Sequence, residues 1–152
     1  MKVNIAKITD GLEMQFDESS AYLNKEDGEV YVVSDEELRA AEEGDPIDDF
    51  PDWQQQGIEI AEQIIRDDNY IMLPSKFEVH EYAIMEEFCY SVADSNVSDA
   101  LQIAIRGKGA FRRFKDTCHK FGIIDQWYSF RTEALKEIAI AWCKENKLEY
   151  EV

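Results

Sequence analysis

The segment that most restricts the fold of this chain is AYLNKEDGEVYVV, which runs from Ala21 to Val33. Two stretches rich in β-forming residues, 21–24 and 29–33, flank the turn sequence Lys-Glu-Asp-Gly. Gly28 can supply the positive φ that a hairpin loop needs, because it has no side chain to clash with the backbone. The sequence therefore predicts a β-hairpin in the first quarter of the chain.

The C-terminal residues carry a second strand signal. Leu148, Tyr150 and Val152 alternate with other residues, two of them acidic, which is the period of a half-buried strand. A terminal strand needs a neighbour for its backbone hydrogen bonds, and the hairpin is the only sheet that the sequence predicts. We therefore expect this strand to join the hairpin as its third strand and to tie the two ends of the chain together.

The residues before the hairpin place apolar side chains at helical spacing, at Ile5, Ile8, Leu12 and Phe16. This spacing predicts a short N-terminal helix. Gly11 weakens the prediction because glycine lowers helix stability, and residues 3–5 could equally begin a strand.

Helix signals occupy most of the remaining sequence. Ser34 with Glu37 and Ser75 with Glu78 have the spacing of capping boxes, and Asp52 or a nearby acid is expected to cap another helix. The apolar residues expected on buried helix faces are Trp53, Gly57, Ile60, Ala61, Ile64, Phe77, Ile84, Phe88, Leu101, Ala104, Ile105, Phe111, Phe114, Cys118, Phe121, Trp127, Phe130, Ala134, Ile138, Ala141 and Trp142.

The chain is long enough to bury one sizeable core, and no repeat, linker or low-complexity tract divides it. A hydrophobic content of 45% argues against disorder despite the high charge. The patterns predict a single α+β domain over residues 1–152. It would hold a small antiparallel sheet, made of the hairpin and the C-terminal strand, and a bundle of about five to seven helices.

Charge is distributed unevenly along the sequence. Residues 1–105 hold 6 Lys and Arg against 26 Asp and Glu, whereas residues 106–152 hold 10 against 7. The net charge of −17 repels bulk nucleic acid and anionic membranes, so any nucleic-acid contact would have to be local. The second stretch is therefore either a local surface that attracts anions or an internal clamp for the acidic part of the chain.

The positive charge is concentrated in the basic segment Arg106–Lys120, which reads RGKGAFRRFKDTCHK. Two glycines flank Lys108 immediately before a predicted helix start, where free backbone N–H groups and the helix dipole suit an anion. Arg112 and Arg113 could add bidentate contacts to phosphate or carboxylate. The segment is not a P-loop, because it lacks the GxxxxGK[ST] spacing and does not follow a strand.

A purely structural interpretation of the basic segment is also open. Gly107 could cap the preceding helix, and Arg112 could pair with Asp116 four residues on. Tyr128 next to Arg131 would create a stacking surface only if it lay close to the arginines in space. The candidate residues for binding a ligand or partner are Lys108, Arg112, Arg113, Lys115, Tyr128 and Arg131.

Several longer motifs resemble a known family. The runs GKGAFRRFKDT, GIIDQWYSFR and IAWCKENKLEY resemble the C-terminal signature of Uncharacterised Protein Family 0158, a group of small bacterial proteins without an assigned activity. The hairpin sequence and the FPDW segment fit as well, so the resemblance covers most of the chain and is densest over residues 107–131. It implies a shared fold and a bacterial, cytoplasmic origin, and it supplies no catalytic residues.

No motif for catalysis, a metal or a cofactor is present, so we expect none of these. His80 lies between Phe77 and Ile84 on a predicted apolar face, where a lone histidine is more often structural than a ligand. His119 has no further Cys or His at zinc-ligand spacing, and a Cys118 nucleophile would need His80 to arrive from another helix. The sequence shows no signal segment and no run long enough to span a bilayer.

The leading hypothesis from the sequence is a non-catalytic, cytoplasmic interaction module. An acidic lobe would attract basic partners, and the basic segment with Arg131 would bind an anionic partner. One alternative is a protein that binds a phosphate-bearing ligand, a nucleotide or RNA in a pocket lined by Lys108, Arg112, Arg113 and Tyr128, with or without turnover. Another is self-assembly through the same uneven charge, which would give a homo-oligomer.

Overall fold

The computed structural model describes residues 2–152. The strands are β1 (Val3–Asn4), β2 (Ser19–Asn24), β3 (Val30–Ser34), β4 (Tyr70–Met72) and β5 (Tyr150–Glu151). The helices are α1 (Ile5–Met14), α2 (Asp35–Glu43), α3 (Asp52–Arg66), α4 (Lys76–Val79), α5 (Glu81–Ser91), α6 (Ser95–Ala104), α7 (Ala110–Lys120) and α8 (Ile124–Glu145), with a 3-10 turn at Ile47–Asp49. Seven of these described helices have nine residues or more, and the predicted α+β class is confirmed.

The chain divides into two compact units. The first holds the chain as far as Val79 together with Ile138–Val152, and the second holds His80–Glu137. The charge follows this division, because the second unit has eight Lys and Arg against nine Asp and Glu, a net charge of −1. The remaining −16 belongs to the first unit.

The first unit contains both groups of strands. The predicted hairpin is confirmed: β2 pairs antiparallel with β3, and Gly28 in its turn has a φ of 73°. The third strand of this sheet is β4, which pairs antiparallel with the other edge of β2. The sequence analysis missed β4, since three residues are too short for a strand period to show.

The prediction that the C-terminal strand joins the hairpin was wrong. Strand β5 pairs parallel with β1, with Tyr150 opposite Val3. Strand β4 is the third strand of the hairpin sheet, and β5 pairs with the strand at the N-terminus instead. The two ends of the chain are tied together as expected, through a different strand pair.

Helix α1 begins at an Asn4 cap, whose side-chain oxygen accepts a hydrogen bond from the Ala6 N–H at 2.9 Å. Three of the predicted apolar residues are buried, at Ile5, Ile8 and Leu12, but Phe16 is exposed beyond the end of the helix. A Cβ atom at Gly11 would lie 2.7 Å from Val30 Cγ1, so this glycine allows α1 to pack closely against β3.

The capping box of α2 is confirmed. Ser34 and Glu37 exchange hydrogen bonds of 3.1 and 2.8 Å, and Gly44 ends the helix in a left-handed conformation. A Cβ atom at Gly57 of α3 would lie 1.6 Å from Glu37 Oε2. Glycine at this position therefore lets α3 approach the capping carboxylate of α2.

The N-terminus and buried face of α3 differ from the prediction. Pro51 is the cap residue and no side chain caps the helix, so the role expected for Asp52 was wrong. Trp53 is 79% exposed, whereas Gln54, Ile58 and Ala61 are buried. The buried stripe therefore starts one residue later than predicted, at Gln54.

The Ser75–Glu78 capping box is confirmed, but the helix that it starts has only four residues. His80 adopts a left-handed φ of 54° and separates α4 from α5. The break takes Phe77 off the apolar face of α5, and Phe77 is 92% exposed. The prediction that Phe77 and His80 share a helix face with Ile84 was therefore wrong.

The second unit has an aromatic core. Phe88 of α5, Phe114 of α7 and Trp127 of α8 are buried, and their ring centroids lie 4.8–6.0 Å apart in edge-to-face geometry. Phe130 adds a fourth ring, 5.4 Å from Phe88. On the part of α8 that belongs to the first unit, Trp142 is buried as predicted, while Ala141 is exposed.

Candidate functional site

The candidate site is centred on α7 and on the loop before it. Gly107 and Gly109 both have a left-handed φ, of 74° and 76°, which glycine reaches without steric cost. Ala110, Phe114 and Cys118 follow one another at intervals of four residues and are buried. The helix therefore has one buried side, and its charged residues lie on the exposed side.

Two phenylalanines assigned to the buried face of α7 are exposed, and the prediction for them was wrong. Phe111 is 49% exposed, and Phe121 lies exposed beyond the last helical residue. The buried stripe begins at Ala110, and Phe111 stands about 100° around the helix from it. As a result, an aromatic ring lies in solvent beside cationic side chains.

Arg113 binds backbone carbonyl groups of its own chain. Its Nε donates to the Ala104 carbonyl oxygen at 3.0 Å, and its two terminal nitrogens donate to the Arg106 and Lys108 carbonyl oxygens. The C-terminal carbonyls of α6 are electron-rich and lack helical partners, so a guanidinium is favourable there. Arg113, which the sequence predicted to bind an anion, therefore holds the end of α6 and the following loop.

Gly109 is needed for this arrangement as well as for the φ of the loop. A Cβ atom at Gly109 would lie 3.0 Å from Arg113 Nη1, which is tighter than an ordinary contact. The glycine therefore leaves room for the guanidinium while the loop turns into α7.

The remaining cations of α7 are exposed. The Arg112 side chain is 89% exposed, and its Nε lies 4.0 Å from Asp116 Oδ2, which is a weak surface ion pair. Among the described residues no ion pair involves Lys108 or Lys115. Phe111, Arg112 and Lys115 are neighbours on one exposed side of the helix, and we call them the α7 face.

The two candidate residues on α8 are placed differently. Arg131 Nε donates to Glu81 Oε1 at 2.7 Å, and both side chains are largely buried, so this arginine joins α8 to α5. Tyr128 is exposed. A cation–π contact places Lys120 Nζ 5.6 Å from the centroid of the Phe121 ring. Tyr128 takes no part in this contact.

The sequence analysis missed a groove on the second unit. This α5–α8 groove has a volume of about 500 Å³ and is lined by Phe88, Asp125, Gln126, Ser129, Phe130 and Glu133. Its floor is aromatic and its two acidic residues stand at opposite ends of the lining stripe of α8. The sequence signal that could have indicated this groove is the pair Asp125 and Glu133, which lie eight residues apart on either side of Phe130. The sequence analysis had placed Phe130 on a buried helix face.

A larger cavity, of about 670 Å³, lies on the first unit beside the N-terminus of α2. It is lined by Phe16, Glu18, Ser19, Ser34, Asp35, Glu36 and Arg39. A third cavity lies between α1 and β3. None of these three cavities is lined by Lys108, Arg112, Arg113 or Tyr128.

The cysteine and histidine residues do not converge. Cys118 is buried while the adjacent His119 is exposed, and His80 is exposed at the break before α5. Within residues 2–152, no cluster of three or more His, Cys, Asp or Glu has the arrangement of a metal site. Burial raises the pKa of the Cys89 thiol and of the Cys118 thiol to about 11, so both thiols are protonated at neutral pH.

These buried thiols predict a loss of stability at alkaline pH. The unfolded chain releases the thiol protons near the ordinary pKa of 9.0, and the folded chain releases them only near 11. Between these values the folded state binds more protons, so the free energy of unfolding falls as the pH rises. Urea unfolding between these pH values measures the effect. In the double variant Cys89→Ala, Cys118→Ala, the free energy of unfolding should fall less steeply with pH than in the wild type. An equal slope in both proteins would contradict the raised pKa of these thiols.

Comparisons with known proteins give one match. A family model described as Uncharacterised protein family (UPF0158) matches residues 1–152. No curated protein and no solved structure matches the chain. Among the described helices, none combines the length and the apolar character needed to cross a bilayer.

Proposed function

Because this chain belongs to the uncharacterised protein family UPF0158, we propose its function from surface chemistry: it is a non-catalytic interaction module whose α7 face binds an anionic partner. The observation that carries this proposal is the exposed Phe111 beside Arg112 and Lys115. Arginine and aromatic residues are enriched among the residues that dominate binding energy at protein interfaces.

The local charge supports an anionic partner. The second unit has a net charge of −1, although the whole chain carries −17. The cations of α7 therefore lie in a unit that has almost no excess of negative charge. Arg113 and Arg131 are excluded from the proposed contact surface, because their guanidinium groups already bind Ala104, Arg106, Lys108 and Glu81. The surface that remains is the α7 face, flanked by Lys108.

Reversing the charge of the α7 face tests this proposal. We expect Arg112→Glu, Lys115→Glu to weaken binding of a captured partner at least about tenfold, because attraction is replaced by repulsion. The variant should melt within a few degrees of the wild type, since both side chains are exposed. Capture from cells that express the protein would identify the partner, and titration with the purified partner would give the affinity.

The matched control is Lys25→Glu, Lys144→Glu, which reverses two exposed cations elsewhere and produces the same net charge. This control should keep the partner. If both variants lose the partner equally, binding depends on overall charge and the assignment to α7 fails. If neither loses it, the α7 face is not the contact surface.

A further inference from the structure

The α5–α8 groove is a shallow, open groove with aromatic side chains in its lining. Its floor is made by Phe88, which is buried, and Phe130, which is half-buried, with ring centroids 5.4 Å apart. Gln126 and Ser129 lie along its α8 wall. No residue of α7 from the same chain lines the groove, so Phe111 of the same chain does not occupy it.

The rim of the groove is acidic. Asp125 and Glu133 stand eight residues apart on α8, which corresponds to a rise of about 12 Å. Both residues are exposed, and no ion pair of the described chain involves either carboxylate. The groove therefore presents aromatic side chains between two carboxylates that form no ion pair within residues 2–152.

The α7 face has the complementary chemistry. Phe111 exposes about half of its surface, and Arg112 and Lys115 follow it at about 1.5 and 6 Å along the helix axis. If the Phe111 ring of another copy lay in the groove, the long side chains of Arg112 and Lys115 would be within reach of the acidic residues at the rim. We propose that the α5–α8 groove receives the α7 face of a second copy of this chain.

This inference rests on the α7 face of the proposed function and names a second copy as its anionic partner. The net charge of −17 does not forbid the contact, because both surfaces belong to the second unit, which carries only −1. The repulsion between copies comes from the first unit, and it is screened beyond about 8 Å at physiological ionic strength. Association should therefore be strongest at intermediate salt and weaken near about 1 M.

Sedimentation velocity over a series of protein and NaCl concentrations measures this association. We expect the wild type to self-associate, and Phe111→Ala to raise the dissociation constant at least about tenfold because the ring is lost. Phe121→Ala is the matched control, since it removes another exposed ring that directly follows α7 and lies outside the α7 face. Each variant is checked for an unchanged melting temperature.

A pair of charge-reversed variants distinguishes specific docking from non-specific association. One variant carries Arg112→Glu, Lys115→Glu and the other carries Asp125→Lys, Glu133→Lys. Each alone should remain monomeric, because its two surfaces then have the same sign. An equimolar mixture should associate again, because each surface then finds one of opposite sign.

Three results would overturn the inference. They are a wild type that stays monomeric at every salt concentration, a Phe111→Ala variant that associates as tightly as the wild type, and a mixture of the exchanged variants that does not associate. A monomeric wild type that still loses a different partner on reversal of the α7 face would leave the proposed function standing and remove only the second copy. A monomeric wild type that loses no partner on reversal of the α7 face would contradict both the second copy and the proposed function.

Discussion

Replacing Phe114 with alanine is expected to lower the free energy of unfolding by about 3–5 kcal/mol. The side chain is fully buried, and its ring lies 4.8 Å from Trp127 and 6.0 Å from Phe88. Removing it leaves a cavity between α7 and the aromatic rings of α5 and α8, so the gap cannot close without moving a helix. A loss of this size is a large part of the total stability of a typical domain.

Urea unfolding followed by tryptophan fluorescence measures the Phe114 effect, because Trp127 touches the altered ring. Phe111→Ala is the control on the same helix, three residues earlier. It should cost less than about 1 kcal/mol, since about half of the Phe111 side chain is already in solvent. Equal losses in the two variants would show that α7 is oriented differently from the arrangement described above.

The features that local sequence determines were predicted well. The capping boxes of Ser34 and Ser75 and the hairpin turn at Gly28 depend on hydrogen bonds or φ values within a few residues. Such features carry their own signal, because the interacting groups are close together in the chain. The resemblance drawn from the C-terminal motifs likewise agrees with the family model that covers residues 1–152.

Features that depend on distant residues were predicted poorly. The position of β5 depends on a pairing with β1 at the opposite end of the chain, and the three residues of β4 carry no periodic signal. The exposure of Phe77 depends on the break at His80, where the backbone has a positive φ that is uncommon for any residue other than glycine. Spacing alone therefore identified the helices better than it identified which residues each helix buries.

The candidate site shows the same division. The exposed cations Arg112 and Lys115 of the predicted site lie on the exposed side of α7, as expected for surface charge. The partners of Arg113 and Arg131 could not be derived, because one binds the end of the preceding helix and the other a carboxylate fifty residues away. An arginine in the first turn of a helix opposes that helix dipole, and the dipole of α6 is what makes Arg113 favourable.

Replacing Arg113 with alanine is expected to lower the free energy of unfolding by about 1–2 kcal/mol, which is below the usual sum for three charge-assisted hydrogen bonds because the residue is exposed. The change removes the donors to Ala104, Arg106 and Lys108 and leaves the C-terminus of α6 to be capped by water. Thermal and urea unfolding of the variant measure the loss.

Two variants make the Arg113 result specific. Arg113→Lys keeps the charge but replaces the planar fork with one ammonium group, so it should recover only part of the lost stability. Arg112→Ala removes the neighbouring exposed arginine and should change stability by no more than about 0.5 kcal/mol, since its contact with Asp116 is a weak surface pair. If Arg112→Ala and Arg113→Ala are equally mild, the guanidinium of Arg113 does not hold α6, and Arg113 becomes available again as a ligand for an anionic partner.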